Sequence, residues 1–128
     1  MKLTLKVLKE TLTIARFHPT ETIPTWLSFK DVTFLAVTKT ADELSIVCDQ
    51  ATVPADTKQC VKDWRAFKVE GPLDFSLTGI LASLAQPLAA HKISIFAIST
   101  YDTDYILVKQ KDLAEAIEIL KKDCIVIT

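Results

Sequence analysis

The chain has 128 residues, of which 49% are hydrophobic and 24% charged. This is the length of one ordinary domain or of two very small ones, and the composition is too apolar for a disordered chain. Its 15 basic and 16 acidic side chains leave a formal net charge of −1. Without a strong basic field, a nucleic-acid-binding protein is not expected.

Residue counts also exclude several kinds of site. The two glycines cannot form a glycine-rich phosphate loop, and the two histidines cannot form a three-histidine zinc site. Cys48, Cys60 and Cys124 are too far apart for a C-x-x-C motif, and their odd number indicates reduced thiols. The first 17 residues lack the apolar core of a signal peptide, and the uncharged stretch 75–90 is too short to span a bilayer. We therefore expect a cytoplasmic protein with no cofactor, metal or membrane partner.

The first half of the chain shows strand patterns separated by loops. Leu12 and Ile14 alternate with threonines, which is the period of a strand. Two prolines within residues 18–24 exclude a long helix there. Two apolar runs then enclose a short polar connector, which favours an antiparallel hairpin. The elements predicted in this half are a strand at 11–15, a short helical turn at 25–29, a hairpin at 34–48 and a loop at 50–58.

Helical periodicity is clearest in the second half. Leucine and isoleucine repeat every three or four residues over 78–91, which predicts a helix whose last turn Pro87 should kink. Asp112 and Glu115 have the spacing of a capping box and predict the start of the last helix. The elements predicted in this half are a strand at 64–70, a helix at 78–91, a hairpin at 93–108, a helix from 112 to 122 and a strand at 124–127.

The predicted order reads as two rounds of β-α-β-β-α. The hairpins begin near Val32 and Ile93, and the strands before them lie near Thr11 and Trp64. The number of residues between the strand and the hairpin that follows it is similar in the two halves, which indicates an internal repeat. Antiparallel sheets covered by helices on one face, of the ferredoxin-like type, are the expected product.

The segment 75–108 carries the candidate site. Gly79 stands at a predicted helix start, where unpaired N–H groups suit a carboxylate and the missing side chain lets a ligand approach the backbone. Asp102 and Asp104 in the following turn can accept hydrogen bonds from an ammonium group. Together these features outline an amino-acid site. Taken alone, the same residues are more typical of an ordinary loop glycine and ordinary turn aspartates.

Two stretches of this segment resemble the ACT domain family, which includes short bacterial proteins and the cytosolic arginine sensors of animals. FSLTGILAS at 75–83 is similar to the loop-helix segment of that family, and ISTYDTDYILV at 98–108 is similar to its strand-turn-strand segment. The resemblance covers residues 64–122, and the first half matches by element order only. It implies an α+β fold of two ferredoxin-like βαββαβ ACT modules, at 1–62 with degenerate helices and at 63–128.

The resemblance also implies a function. A regulatory or sensor protein is expected that binds an amino acid or similar small zwitterion at a module or subunit interface, without catalysis. Because related sensors carry more modules in one chain, a complete site here is expected to need a homodimer. The ligand-binding residues that the resemblance implies are Thr78, Gly79, Ile80, Leu81, Thr100, Tyr101, Asp102 and Asp104.

Two other function classes remain open. One is a non-catalytic protein–protein interaction module with no free ligand, which would expose an apolar patch. The other is a small enzyme, which has the least support because no nucleophile–base pair is evident.

Overall fold

A computed structural model describes residues 2–71 and 78–128 of the chain. Eight strands and two α-helices lie in these residues. The strands are β1 (Thr4–Val7), β2 (Leu12–Phe17), β3 (Ala36–Lys39), β4 (Leu44–Asp49), β5 (Cys60–Val69), β6 (Ile95–Ser99), β7 (Asp104–Lys109) and β8 (Ile125–Ile127). The helices are α1 (Ile80–Ala90) and α2 (Leu113–Leu120).

The chain forms two compact units. Met1–Lys9 and Arg65–Thr128 make up one, called here the terminal unit, and Glu10–Trp64 make up the other, called here the inserted unit. The sequence-based division between residues 62 and 63 falls inside strand β5 and places residues 1–9 with the first module. The assignment of two ACT modules to the chain stays a prediction.

The inserted unit is an antiparallel sheet with the strand order β3-β4-β2-β5. The predicted hairpin is confirmed as β3 and β4, and the predicted turn at 25–29 is present as a hydrogen bond from Leu27 N to Pro24 O. No α-helix lies between β2 and β5; one 3-10 turn, Gln50–Thr52, follows β4. The core of this unit contains Leu27, Ile46 and Cys48, with Phe17 and Trp26 packed against them.

A bulge interrupts the pairing of β2 with β5. Leu12 pairs with Trp64, whereas Ile14 pairs with Val61, so β5 carries one extra residue. Asp63 lies there with a φ of 67°, in the left-handed region. Gln50 holds it, because its Oε1 accepts from Asp63 N at 2.7 Å and its Nε2 donates to Asp63 Oδ1 at 2.9 Å.

The terminal unit has the strand order β6-β7-β5-β1-β8. Strand β1 is absent from the sequence-based prediction, yet it separates β5 from β8. It runs antiparallel to β5 and parallel to β8, so the antiparallel pairing expected from the sequence does not hold for β1 with β8. Leu5 and Val7 of β1 are buried, whereas Lys6 between them is exposed.

The two helices pack on the sheet of the terminal unit. Leu84 and Leu88 of α1 and Ala116 and Leu120 of α2 share one core with Phe67 of β5. The predicted α+β class is therefore confirmed. No helix in the described part of the chain is both long and apolar enough to cross a membrane.

Two details of the helices differ from the prediction. Helix α1 spans Ile80–Ala90 and includes Pro87, so it is slightly shorter than the predicted range 78–91. The predicted capping box of α2 is wrong, because the Asp112 side chain makes no hydrogen bond to the helix start. Asp112 has φ −99° and ψ −2° at the end of the 3-10 turn Gln110–Asp112, whereas a capping residue needs an extended backbone.

Candidate functional site

A tight turn, residues 100–103, joins β6 to β7. The Thr100 N–H donates to the Thr103 carbonyl at 2.8 Å, and the Thr100 hydroxyl accepts from the Thr103 N–H at 3.3 Å. Thr103 is only 4% exposed, and its Oγ1 donates to the carbonyl of Val69 at 2.5 Å. The turn is therefore fixed against the end of β5.

A cavity of about 200 Å³ lies beside this turn. Its lining in the described residues is Lys68, Gly71, Thr100, Asp102, Thr103 and Tyr105. Its volume equals that of about six or seven water molecules and lies below the range of roughly 300–1,000 Å³ typical of ligand pockets. It is therefore large enough for a small ligand or for one end of a longer one.

Opposite charges line the cavity. Lys68 supplies an ammonium group with three donors, and Asp102 supplies a carboxylate that only accepts. The Lys68 Nζ lies 3.7 Å from Glu70 Oε2, with both side chains 36% exposed, and an ion pair of this kind is weak. Lys68 therefore retains donors for an anionic group, while Asp102 is exposed to accept from a cationic one.

The cavity contains two of the eight predicted site residues, Thr100 and Asp102. Tyr101, at the tip of the turn, is 83% exposed. Asp104 lies opposite Ser99 in the β6–β7 pairing, and its Oδ1 accepts from the Ser99 hydroxyl at 2.6 Å. Among the described residues, none of 78–81 is part of the cavity lining.

The other four predicted site residues, 78–81, lie at the start of α1. Gly79 has a φ of 77°, so the left-handed backbone by itself accounts for a glycine there. A Cβ on Gly79 would meet nothing within 4 Å, which leaves its backbone accessible. Thr78 is exposed, whereas Ile80 and Leu81 are half-buried against the core of the terminal unit.

Sequence reasoning missed four lining residues: Lys68, Gly71, Thr103 and Tyr105. The strand alternation does place Lys68 opposite the buried Phe67 and Val69, which was the available signal. The role of Thr103 depends on its contact with Val69, 34 residues earlier in the chain, and no local pattern reports such a contact.

The inserted unit repeats the same turn. Thr40 N donates to Glu43 O at 2.9 Å, and Glu43 N donates to the Thr40 hydroxyl at 3.2 Å, as in the Thr100 turn. A basic residue also stands one position before the end of a strand in each unit, Arg16 in β2 and Lys68 in β5. In the inserted unit, however, Arg16 Nη2 donates to the Asp42 carbonyl at 2.9 Å and so covers the turn.

The described residues contain no group of three or more histidine, cysteine or acidic side chains that could hold a metal ion. Burial raises the pKa of the Cys48 and Cys124 thiols above the ordinary value. Both cysteines therefore stay protonated near neutral pH, which is typical of unreactive core thiols.

Comparison with known proteins identifies the family. A family model described as an ACT domain matches residues 59–122, half of the chain. The chain belongs to the ACT domain family. A second family model, which describes an N-terminal domain, matches residues 10–56 of this ACT protein.

Among relatives of known description, the ACT protein is similar to subunit 1 of the cytosolic arginine sensor for mTORC1. It is 37% identical to the Homo sapiens protein over 98 residues, and 36% identical to the Mus musculus protein. Each match covers 71% of this chain but only 30% of the sensor. The chain thus matches less than a third of the length of these relatives.

Solved structures confirm the fold. A protein from Agobacterium tumefaciens, solved by X-ray crystallography, superposes with a TM-score of 0.89 at 36% identity, covering 99% of this chain and 93% of that one. The aspartate kinase of Clostridium acetobutylicum superposes with a TM-score of 0.68, covering 90% of this chain and 33% of that one. At 12% identity, the kinase shows likeness of fold alone.

Proposed function

We propose that the ACT protein is a non-catalytic regulatory protein that binds a free amino acid beside the turn at residues 100–103. The observation that carries this proposal is the pair of opposite charges, Lys68 and Asp102, on the lining of one small cavity. A free amino acid is the simplest metabolite with a carboxylate and an ammonium group a few ångströms apart. Similarity to arginine sensors makes arginine the first ligand to test.

In the proposed complex, the ligand carboxylate faces Lys68 and the ligand ammonium faces Asp102. Charge-assisted hydrogen bonds of this kind are about twice as strong as neutral ones. Tyr101 and Asp104 border the site on the same turn. Residues 78–81 remain in the proposal as contacts for the part of the ligand that extends beyond the cavity.

The site is proposed to be completed by a second copy of the chain. The cavity is smaller than a typical ligand pocket, and the match covers 30% of the arginine sensors. In a homodimer, the ligand would lie at the subunit interface. Ligand binding would then stabilise the dimer by mass action and regulate whatever the dimer contacts.

A thermal-shift series with the twenty amino acids tests this function. A ligand at 100 times its Kd adds about 2.7 kcal/mol to the free energy of unfolding, which shifts the Tm of a protein of this size by several degrees. Lys68→Met and Asp102→Asn should each abolish the shift. Lys6→Met removes an exposed lysine of the same unit that is not part of the cavity lining, so this variant should keep the thermal shift.

Derivatives of the ligand test its orientation. The amide of the bound amino acid lacks the carboxylate, so it should bind the wild-type protein weakly, and Lys68→Met should not weaken its binding further. The N-acetyl derivative lacks the ammonium group, so it should also bind the wild-type protein weakly, and Asp102→Asn should not weaken its binding further. Unchanged binding by both variants would refute the site, and no shift with any amino acid would refute amino-acid binding.

One observation favours a second function, a protein–protein interaction module without a free ligand. Strand β8 ends the strand order of the terminal unit and exposes Ile125 at 52% and Ile127 at 47%. Exposed apolar residues on an edge strand are suited to pairing with another chain. Failure of every amino acid in the thermal-shift series would leave this function as the better supported one.

A further inference from the structure

The inserted unit contains a second cavity, of about 360 Å³, at the end of β2. This volume lies within the range of roughly 300–1,000 Å³ typical of small-molecule sites. Its lining includes the side chains of Arg16, Phe17, His18, Glu21 and Lys58. None of them is on the lining of the cavity in the terminal unit, so this site is independent of the proposed amino-acid site.

Positive charge dominates this lining. Arg16 and Lys58 are both cationic, and neither makes an ion pair within the described residues. Arg16 donates to neutral acceptors only, to the Asp42 carbonyl through Nη2 at 2.9 Å and to Gln59 Oε1 through Nη1 at 3.5 Å. Its orientation is therefore fixed while its charge stays uncompensated.

The one carboxylate on the lining is already engaged. Glu21 Oε2 accepts a hydrogen bond from the backbone N–H of His18 at 2.8 Å, which closes the loop after β2. This bond gives Glu21 a local structural role. Two cations, Arg16 and Lys58, against one engaged carboxylate leave a net positive cavity, unlike the balanced pair of Lys68 and Asp102 in the terminal unit.

His18 adds a donor to this lining. His18 Nδ1 lies 2.8 Å from the Thr20 hydroxyl and 3.3 Å from the Thr20 backbone nitrogen, so its local contacts engage Nδ1 and leave Nε2 for a ligand. Beside it, the half-buried ring of Phe17 gives the cavity an apolar wall. Guanidinium, ammonium and imidazole N–H groups are the donors that bind phosphate and carboxylate oxygens.

We propose that the inserted unit binds a small organic oxyanion in this cavity, with the anionic group on Arg16 and Lys58 and an apolar group against Phe17. Phosphate monoesters and carboxylates share this chemistry. A free amino acid fits less well, because Glu21 already accepts a backbone hydrogen bond and the lining carries excess positive charge.

The test is an NMR titration of the ¹⁵N-labelled full chain at constant ionic strength, with phenyl phosphate, inorganic phosphate and benzoate as probes. Phenyl phosphate should shift the amides of residues 16–18, 20–21 and 57–59 and bind at least tenfold more tightly than inorganic phosphate. Lys58→Gln should weaken binding about tenfold. Lys30→Gln, which removes an exposed lysine of the same unit outside the cavity lining, should change it less than twofold.

Each outcome decides the proposal. Binding of benzoate but not phenyl phosphate would support the oxyanion site and identify a carboxylate as the ligand. Arg16→Gln should also weaken binding, and because Lys58 is exposed, Lys58→Gln gives an answer even if the Arg16 variant does not fold. Equal binding by Lys58→Gln and wild type, shifts confined to other residues, or equal shifts with glycine would overturn it.

Discussion

The hydroxyl of Thr103 donates to the carbonyl of Val69 across 2.5 Å and so ties the turn at residues 100–103 to the end of β5, the two parts of the candidate amino-acid site. Lys68 precedes Val69 on β5, and Asp102 precedes Thr103 in the turn. The bond therefore holds the backbone segments that carry Lys68 and Asp102 next to each other. It is buried, so water does not compete for either partner.

Replacing Thr103 with valine tests this relationship. Thr103→Val keeps the shape of the side chain but leaves the buried Val69 carbonyl without the hydroxyl donor, which should lower the free energy of unfolding by about 1–3 kcal/mol. The amino-acid-dependent thermal shift should shrink as well, because the turn is no longer fixed. Thr38→Val, at an exposed strand position, is the control and should have little effect. Equal stability of the two variants in urea would contradict this role of Thr103.

Strand β1 should be essential to the terminal unit, because it lies between β5 and β8 and Leu5 is fully buried. Leu5→Ala removes core methyl groups and should cost about 2–5 kcal/mol in urea unfolding. Lys6→Ala on the same strand is exposed and should change stability by less than about 0.5 kcal/mol. If Leu5→Ala were as stable as Lys6→Ala, β1 would not be part of this core.

The bulge at Asp63 requires a residue that tolerates a positive φ. Asp63→Asn keeps that tolerance and the acceptor for Gln50, so its stability should stay within about 0.5 kcal/mol of wild type. Asp63→Val should lose about 2 kcal/mol or more, because a β-branched side chain is strained there and the bond from Gln50 Nε2 is lost. Chemical denaturation of the two variants therefore compares a residue that keeps the positive-φ tolerance and the acceptor with one that lacks both. A tolerated valine would show that the bulge rearranges without cost.

Alkaline pH should destabilise the protein through its buried thiols. Burial raises the pKa of Cys48 and Cys124 in the folded state, so the unfolded chain releases these protons at a lower pH than the folded one. Their contribution is complete below the pKa of the unfolded thiol and is lost as the pH rises through the folded value. The free energy of unfolding should therefore fall above about pH 9. The Cys48→Ala/Cys124→Ala variant should show a shallower fall, and an equal slope in both proteins would contradict the assignment.

The structure explains which sequence predictions failed. The capping box at Asp112 and Glu115 has the right spacing, but the preceding 3-10 turn fixes Asp112 in a helical rather than an extended conformation. Helix α1 extends through Pro87 to Ala90, and Leu84 and Leu88 on either side of the proline are buried in the core. The kink at Pro87 stays a prediction, whereas at Asp112 the preceding turn decided the outcome.

The sequence by itself determined the elements whose signals are local. Alternation around Leu12 and Ile14, the polar connector between β3 and β4, and the helical period of residues 78–91 each reflect which side of one element is buried, so a single stretch of chain reports them. The turn between β6 and β7 was also evident, with Asp102 within it, whereas Thr100 was implied only by the resemblance to the ACT domain family.

Only the tertiary structure decided which distant segments meet. The place of β1 between β5 and β8, the bond from Thr103 to Val69 and the approach of Lys68 to Asp102 each join parts of the chain more than 30 residues apart. Such pairings depend on shape and hydrogen-bond register over the whole sheet. No local pattern in the sequence encodes them, because each partner alone resembles an ordinary strand or turn residue.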